Sequence, residues 1–195
     1  MNYLAHLHLA GDNPATKVGA FLGDYVKGPL HGALPAGIEA GIAQHRKIDA
    51  YTDSHVFTAN AKTLFEPSER RYVGIALDMI CDHLLARQWA HYSQQNLKHF
   101  AVEQYDLLAA NSHYFNPRAQ LFFSRLQQYN LLAEYQHWPI IERSLHGIAN
   151  RLKKPEPMLA LTTKLHAHLD PIAAEFEPFY QDLIQRCGPE ALSNE

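Results

Sequence analysis

The residues of this chain best equipped for chemistry are ionisable groups set among apolar neighbours. His45 and Asp49 lie on one stretch, Asp78, Asp82 and His83 on a second, and Asp24 on a third. In "ALDMICDHLLARQW", residues 76 to 89, the three ionisable groups interrupt a run of Ala, Leu, Met, Ile, Cys and Trp, and Tyr72, Val73 and Ile75 precede it. Those apolar residues surround a helical projection, the pattern of a helix buried on most of its circumference. A buried carboxylate is costly unless paired or bound to a metal, and two at i, i+4 repel each other. Ile38, Ile42, His45, Asp49 and Thr52 form a second stripe, at spacings of four, three, four and three. Asp24 sits among Phe21, Leu22, Gly23, Tyr25 and Val26. Imidazole nitrogens and carboxylate oxygens converging from separate helices are the ligands that hold Mn²⁺, Mg²⁺ or Fe²⁺. Such an ion would offset the carboxylate repulsion, acidify water and stabilise charge on phosphoryl oxygens. On a helix, Asp78 and Asp82 stand about 40° apart and His83 about 100° further round, so the three border one cavity without all ligating one ion. Taken singly, a His/Asp pair at i, i+4 reads equally well as a hydrogen-bonded core pair. The recurrence on three segments within the first ninety residues favours a shared cation.

The elements that must position these groups read as nearly all α. Pro14, with Asp12 or Asn13 as cap, opens a first helix that stops at Gly28-Pro29. Pro35 opens a second through "AGIEAGIAQHRKIDAYTDSH", and Glu66-Pro67-Ser68 separates a short helix from the long buried one beginning near Glu69. Further helices are expected over 97–110, 117–134, 138–153 and 156–186. Residues 3–9, "YLAHLHL", alternate with period two and read as a strand or a first helical turn. The 195 residues fit one domain, so the expectation is a single-domain helical bundle over 1–195. Hydrophobic residues at 47% exclude a disordered chain, and a net charge of -3 excludes a generally basic nucleic-acid binder. Cys81 and Cys187 form no CxxC, so neither a disulfide framework nor a zinc ribbon is indicated. With no signal peptide and no apolar run long enough to span a bilayer, a cytoplasmic, membrane-free protein is expected.

Four motifs together resemble the acyl-carrier-protein phosphodiesterase family of Gram-negative bacteria. They are "MNYLAHLHLA" at the start, Gly23-Asp24 followed by Val26 and Gly28, "HRKIDAYTD" from His45 to Asp53, and "LDMICDHLLARQW" from Leu77 to Trp89. The family resembles a distorted HD-type metallohydrolase. The resemblance implies Mn²⁺-dependent hydrolysis of the phosphodiester joining 4′-phosphopantetheine to a serine of holo acyl carrier protein. It further implies His45, Asp49, Asp78, Asp82 and His83 as ligands or their immediate support, and Asp24 as the best candidate to ligate or orient the attacking water. His6 would hold a phosphate oxygen or a ligand carboxylate, and His83 would share in catalysis. The wider superfamily's doublet reads His then Asp, whereas Asp82 here precedes His83. On this reading Asp82→Ala would lose metal and activity together.

No GxSxG elbow, cysteine signature or glycine-rich phosphate loop competes, and Gly37 and Gly41 are too weakly spaced to count as one. Arg46 and Lys47 beside His45, and Arg70 and Arg71 at the head of the long helix, are candidates to receive an acidic partner, which by the resemblance is acyl carrier protein itself. Arg151, Lys153 and Lys154 suit a helix C-terminus. "LHAHLD" at 165–170 places its histidines on different helix faces and reads as packing. Two other functions fit the same residues: an HD-like metallophosphohydrolase acting on nucleotides or another phosphodiester, and a carrier-protein binding module without catalysis. The oligomeric state has no signature in the sequence.

Overall fold

A computed structural model describes residues 1–189, and every regular element in them is helical. In order these are α1 (Tyr3–Leu9), α2 (Pro14–Leu22), α3 (Ala36–Ser54), α4 (Val56–Thr63), α5 (Arg70–Arg87), α6 (Trp89–Tyr92), α7 (Leu97–Ala110), α8 (Pro117–Gln128), α9 (Leu131–Glu134), α10 (Trp138–Ala149), α11 (Glu156–Leu165) and α12 (Leu169–Cys187). The all-α expectation therefore holds. No helix among the described residues is long and apolar enough to cross a membrane.

The ambiguous segment 3–9 is a helix, and its burial explains the misleading alternation. Tyr3, Leu4, Ala5, His6, Leu7 and Leu9 are all buried, so α1 is enclosed on nearly every side and need not show a polar face. Its own N-cap residue, Asn2, makes no capping bond. The missing acceptor comes from the middle of α5: Asp82 takes the backbone N–H of Leu4 at 2.8 Å and of Ala5 at 3.1 Å. These are two of the donors that a helix start leaves unpaired.

Helix α2 starts as expected, with Pro14 in its first turn and Asn13 Oδ1 accepting from Ala15 and Thr16. It ends at Leu22, short of Gly28-Pro29, and the Leu22 carbonyl closes it by accepting from Tyr25 and Val26. The expected helix over 117–134 is two, because Asn130 adopts a left-handed backbone (φ 48°) and the next turn is held by the Tyr105 hydroxyl, which accepts from Leu132 N. The expected helix over 156–186 is likewise divided, by a 3₁₀ turn at His166–His168, and that over 138–153 stops at Ala149.

Helices α2 and α3 meet backbone to backbone. A Cβ on Gly41 would stand 2.2 Å from the Thr16 carbonyl oxygen, and one on Gly19 would stand 2.1 Å from that of Ile38. Gly37, one turn before Gly41, faces Ala15. The two α3 glycines at i, i+4 are therefore a packing seam, which is what their spacing encodes. This seam fixes the end of α2, and with it Asp24, against the third and fourth turns of α3. Gly41→Ala should destabilise the fold by about 3 kcal/mol or more in urea denaturation, since backbone on both sides must move. Gly147→Ala on α10, where a Cβ meets nothing within 4 Å, should be neutral or slightly stabilising.

Candidate metal centre

Helices α1, α2 and α3 bring His6, Asp24, His45 and Asp49 to one place. The two histidine rings stack at 3.7 Å with planes 11° apart. Asp49 lies across both: Oδ1 is 3.1 Å from His6 Nε2, and Oδ2 is 3.2 Å from His45 Nε2. Asp24 Oδ1 approaches the same His45 nitrogen at 3.8 Å. On the other edge of its ring, His45 Nδ1 donates to the Ala20 carbonyl at 2.7 Å. That bond fixes the tautomer and leaves Nε2 as the atom turned toward the carboxylates. Gly23 makes the arrangement possible, because a Cβ there would come within 2.2 Å of the His45 ring.

The two imidazoles titrate in opposite directions. Burial pushes His6 down to about 4, assisted by the neighbouring His45 charge, so it is neutral. Burial also opposes charge on His45, but hydrogen bonds and attraction from Asp24 and Asp49 win and raise it to about 9. Asp49 is held well below the usual carboxylate range: burial works against this, and the bonds from His45 and His6 outweigh it. The α-amino group of Met1 completes the cluster, donating to Asp78 Oδ1 at 2.8 Å and lying 3.5 Å from Asp49 Oδ1.

His6, His45 and Asp49 offer donor atoms within 4.8 Å of one another, the one such trio among the described residues. Two nitrogens and hard carboxylate oxygens, with no thiolate, suit a divalent ion of the Mn²⁺, Mg²⁺ or Fe²⁺ kind. Two further features fit that use: His45 Nδ1 already has a backbone acceptor, and His6 Nδ1 is buried without any partner. Cys81 is fully buried, and burial pushes its thiol well above the usual thiol range.

Of the residues singled out from sequence, the structure gathers His6, Asp24, His45 and Asp49, and places Asp78 beside them through Met1. It separates two others. Asp82, expected as a ligand, has zero exposure and spends both oxygens on the start of α1. His83 points to another side of α5, where Nδ1 meets the Tyr135 carbonyl at 2.7 Å and the ring edges onto Trp138. Helix geometry allowed a shared cavity for the pair, but α1 fills the space that Asp82 faces. The basic candidates also have local employment. Arg46 donates to the Val26 carbonyl, Arg70 to that of Phe65, and Arg71 lies over the Tyr72 ring. Lys47 lines a surface pocket with Tyr51 and Arg186.

Sequence reasoning missed the Met1 amine and the tyrosines at the rim. The Tyr3 and Tyr25 hydroxyls share a hydrogen bond of 2.8 Å, and burial together with the nearby Asp24 charge pushes the Tyr3 hydroxyl well above its usual range. Both belong to motifs already quoted, yet nothing in their spacing shows that residues 22 positions apart meet.

The family model described as acyl carrier protein phosphodiesterase matches residues 1–183. Curated relatives bearing that name extend over nearly the whole chain. The Klebsiella pneumoniae (strain 342) protein is 33% identical over 193 residues, 95% of this chain and 96% of that one. The Enterobacter sp. (strain 638) protein is 33% identical over 196 residues, covering 98% and 100%, and the Yersinia pestis protein is 32% identical over 187 residues, covering 95% and 97%. No solved structure matches.

The geometry separates two kinds of variant. Asp82→Ala should cost stability first, about 2–4 kcal/mol in chemical denaturation, because two buried N–H groups lose their acceptor. Gly23→Ala should lower the melting temperature too, but its distinguishing effect is displacement of the His45 ring, which the chemical shifts and titration of that imidazole by NMR would register.

Proposed function

Because the chain belongs to the acyl carrier protein phosphodiesterase family, we propose that it hydrolyses the phosphodiester between 4′-phosphopantetheine and the carrier-protein serine, and does so with a divalent metal, Mn²⁺ being the best match. The observation that carries the metal reading is the His6, His45 and Asp49 trio, built from two separate helices inside a chain of that family. Water adds to phosphorus as the phosphorus–serine oxygen bond breaks. The products are a serine hydroxyl on apo carrier protein and free 4′-phosphopantetheine.

A divalent ion held by His6, His45 and Asp49 would neutralise phosphoryl charge and acidify water. The chain's own groups do the rest. The Ala20 carbonyl keeps His45 in the tautomer that presents Nε2. Asp24, half exposed at the edge of the cluster, is the carboxylate nearest solvent and is suited to orient water and accept its proton. The Tyr3 hydroxyl, bonded to that of Tyr25, lies within electrostatic reach of Asp24 at the rim of the cluster. The Met1 amine bridges Asp78 and Asp49, offsetting the repulsion between the two carboxylates.

Incubation with holo acyl carrier protein and Mn²⁺ should reduce the carrier's mass by the phosphopantetheine group, read by intact-protein mass spectrometry; an unchanged mass would refute the activity. Chelation should abolish turnover and added Mn²⁺ should restore it, whereas full turnover in chelator would remove the metal from the scheme. Asp49→Ala should lose bound metal and activity together. Asp24→Asn should retain metal by elemental analysis while kcat falls by roughly 10²–10⁴-fold, the range for a general base.

A further inference from the structure

The carboxylates at the centre create a problem for any anionic substrate, and the distribution of charge along the chain answers it. Acidic residues outnumber basic ones, 20 to 17, yet among the stretches that carry no acid, three bear on the candidate centre. Residues 25–38 contain Lys27; residues 107–133 contain Arg118 and Arg125; residues 143–155 contain Arg143, Arg151, Lys153 and Lys154. The first two meet beside the centre, and Arg151 of the third is near enough to act on Tyr25. Asn116 Nδ2 donates to the Tyr25 carbonyl at 3.1 Å, tying the start of α8 to the segment that follows Asp24. Phe122 on α8 stacks on Tyr3 at 4.5 Å, and Tyr3 bonds the hydroxyl of Tyr25, the residue next to Asp24. The positive fields of Arg118 and Arg151 both reach the Tyr25 hydroxyl.

Helix α8 has an outer stripe of unusual make-up. Arg118, Leu121, Phe122 and Arg125 follow at the spacings that share one helix face, and Tyr129 continues the line just past the helix end. Ala119, Phe123 and Leu126 occupy the buried side. On the stripe, Leu121 is 59% and Tyr129 55% exposed, and both arginines are exposed. Large apolar side chains flanked by arginine, with acids excluded, are the composition of a protein-docking surface. Phe122 anchors its inner edge to the rim of the catalytic centre.

We propose that the outer face of α8, centred on Arg118, Leu121 and Arg125, is the docking surface for the carrier protein, receiving an acidic helical face of that partner. The proposal rests on the carrier-protein hydrolase reading. It replaces Arg46, Arg70 and Arg71, whose side chains are engaged locally, with cations that point outward beside Asp24. An acidic partner is favoured over an apolar one because the arginines bracket Leu121, and over nucleic acid because the stripe is short and the centre beyond it is lined by carboxylates.

The test titrates the full-length chain into fluorescently labelled holo acyl carrier protein, follows anisotropy at several salt concentrations, and measures turnover of the same carrier. Arg118→Glu/Arg125→Glu should raise Kd and KM about tenfold or more, with kcat at saturation within about twofold of the unsubstituted protein. Leu121→Ser should weaken binding about threefold to fivefold by removing the exposed apolar anchor, and it guards against a folding defect in the double variant. Lys62→Glu on α4 should change Kd by less than about twofold, and affinity of the unsubstituted chain should fall as salt rises. Undiminished affinity in both α8 variants, or no binding by the unsubstituted chain, overturns the docking surface. Normal turnover with unaltered binding in the α8 variants would overturn it while leaving the hydrolase reading intact. Binding that weakens as expected without any turnover would sustain the surface and refute the hydrolase.

Discussion

The position of one carboxylate governs this molecule. Asp82 has zero exposure, and its two oxygens receive the first unpaired N–H groups of α1 from a residue 78 positions away in sequence. Desolvation pushes its pKa up to about 7, against the stabilisation those two N–H groups provide. A carboxylate facing a helix start also meets the positive end of the helix dipole, which offsets part of the burial cost. Helix α1 has only seven residues, too few to form alone in water, and its intrinsic cap is missing. Its geometry is therefore set by α5 and by the apolar contacts of Leu4, Leu7 and Leu9. His6 stands one residue past the second N–H that Asp82 holds, so the imidazole nearest Asp49 is located by a group outside the candidate centre.

The other half of the centre depends on missing side chains. Gly19, Gly37 and Gly41 let α2 and α3 approach at backbone distance, and Gly23 lets the His45 ring lie against the chain just before Asp24. The result is a cluster whose members come from separate helices and whose orientations are fixed by neighbours: His45 by the Ala20 carbonyl, Asp49 by both imidazoles. Preorganisation of this kind would let a small set of groups take up a cation in exchange for the proton that His45 holds.

Much of this was legible from residue order, for reasons that also mark its limits. Proline and asparagine signals located the starts of α2, α3 and α8 because capping is local chemistry. The i, i+4 relation of His45 and Asp49 follows from helical pitch, so their joint placement could be anticipated. Asp82 and His83 show where local reasoning fails. An ionisable group on an apolar helix implies a hidden partner, but sequence does not say whether that partner is a cation or the end of another helix. Asp82 has the second kind. The break at Asn130 depends on tertiary bonding by the Tyr105 hydroxyl and lacks a proline that would have announced it, whereas the turn at His166–His168 precedes Pro171, whose missing N–H suits the first turn of α12 and not the interior of a continuous helix. The glycines of α3 were visible, but their meaning lay in the helix opposite.

The charge pattern joins these observations to the chemistry expected of the family. Metal ligation and water activation demand carboxylates at the centre, and those same carboxylates repel a phosphodiester carried on an acidic protein. A uniformly basic chain would relieve the repulsion but compete for Asp24 and Asp49 with its own side chains. Local segregation avoids both difficulties: the acids of the centre sit on α3, on α5 and just past α2, while an acid-free stretch carrying Arg118 and Arg125 forms the neighbouring rim. The Tyr25 hydroxyl, bonded to that of Tyr3, feels both zones, the charge of Asp24 on one hand and those of Arg118 and Arg151 on the other. Asp24 pairs with His45 and not with an arginine among the described residues, which leaves the carboxylate available to water and the cations available to an approaching anion.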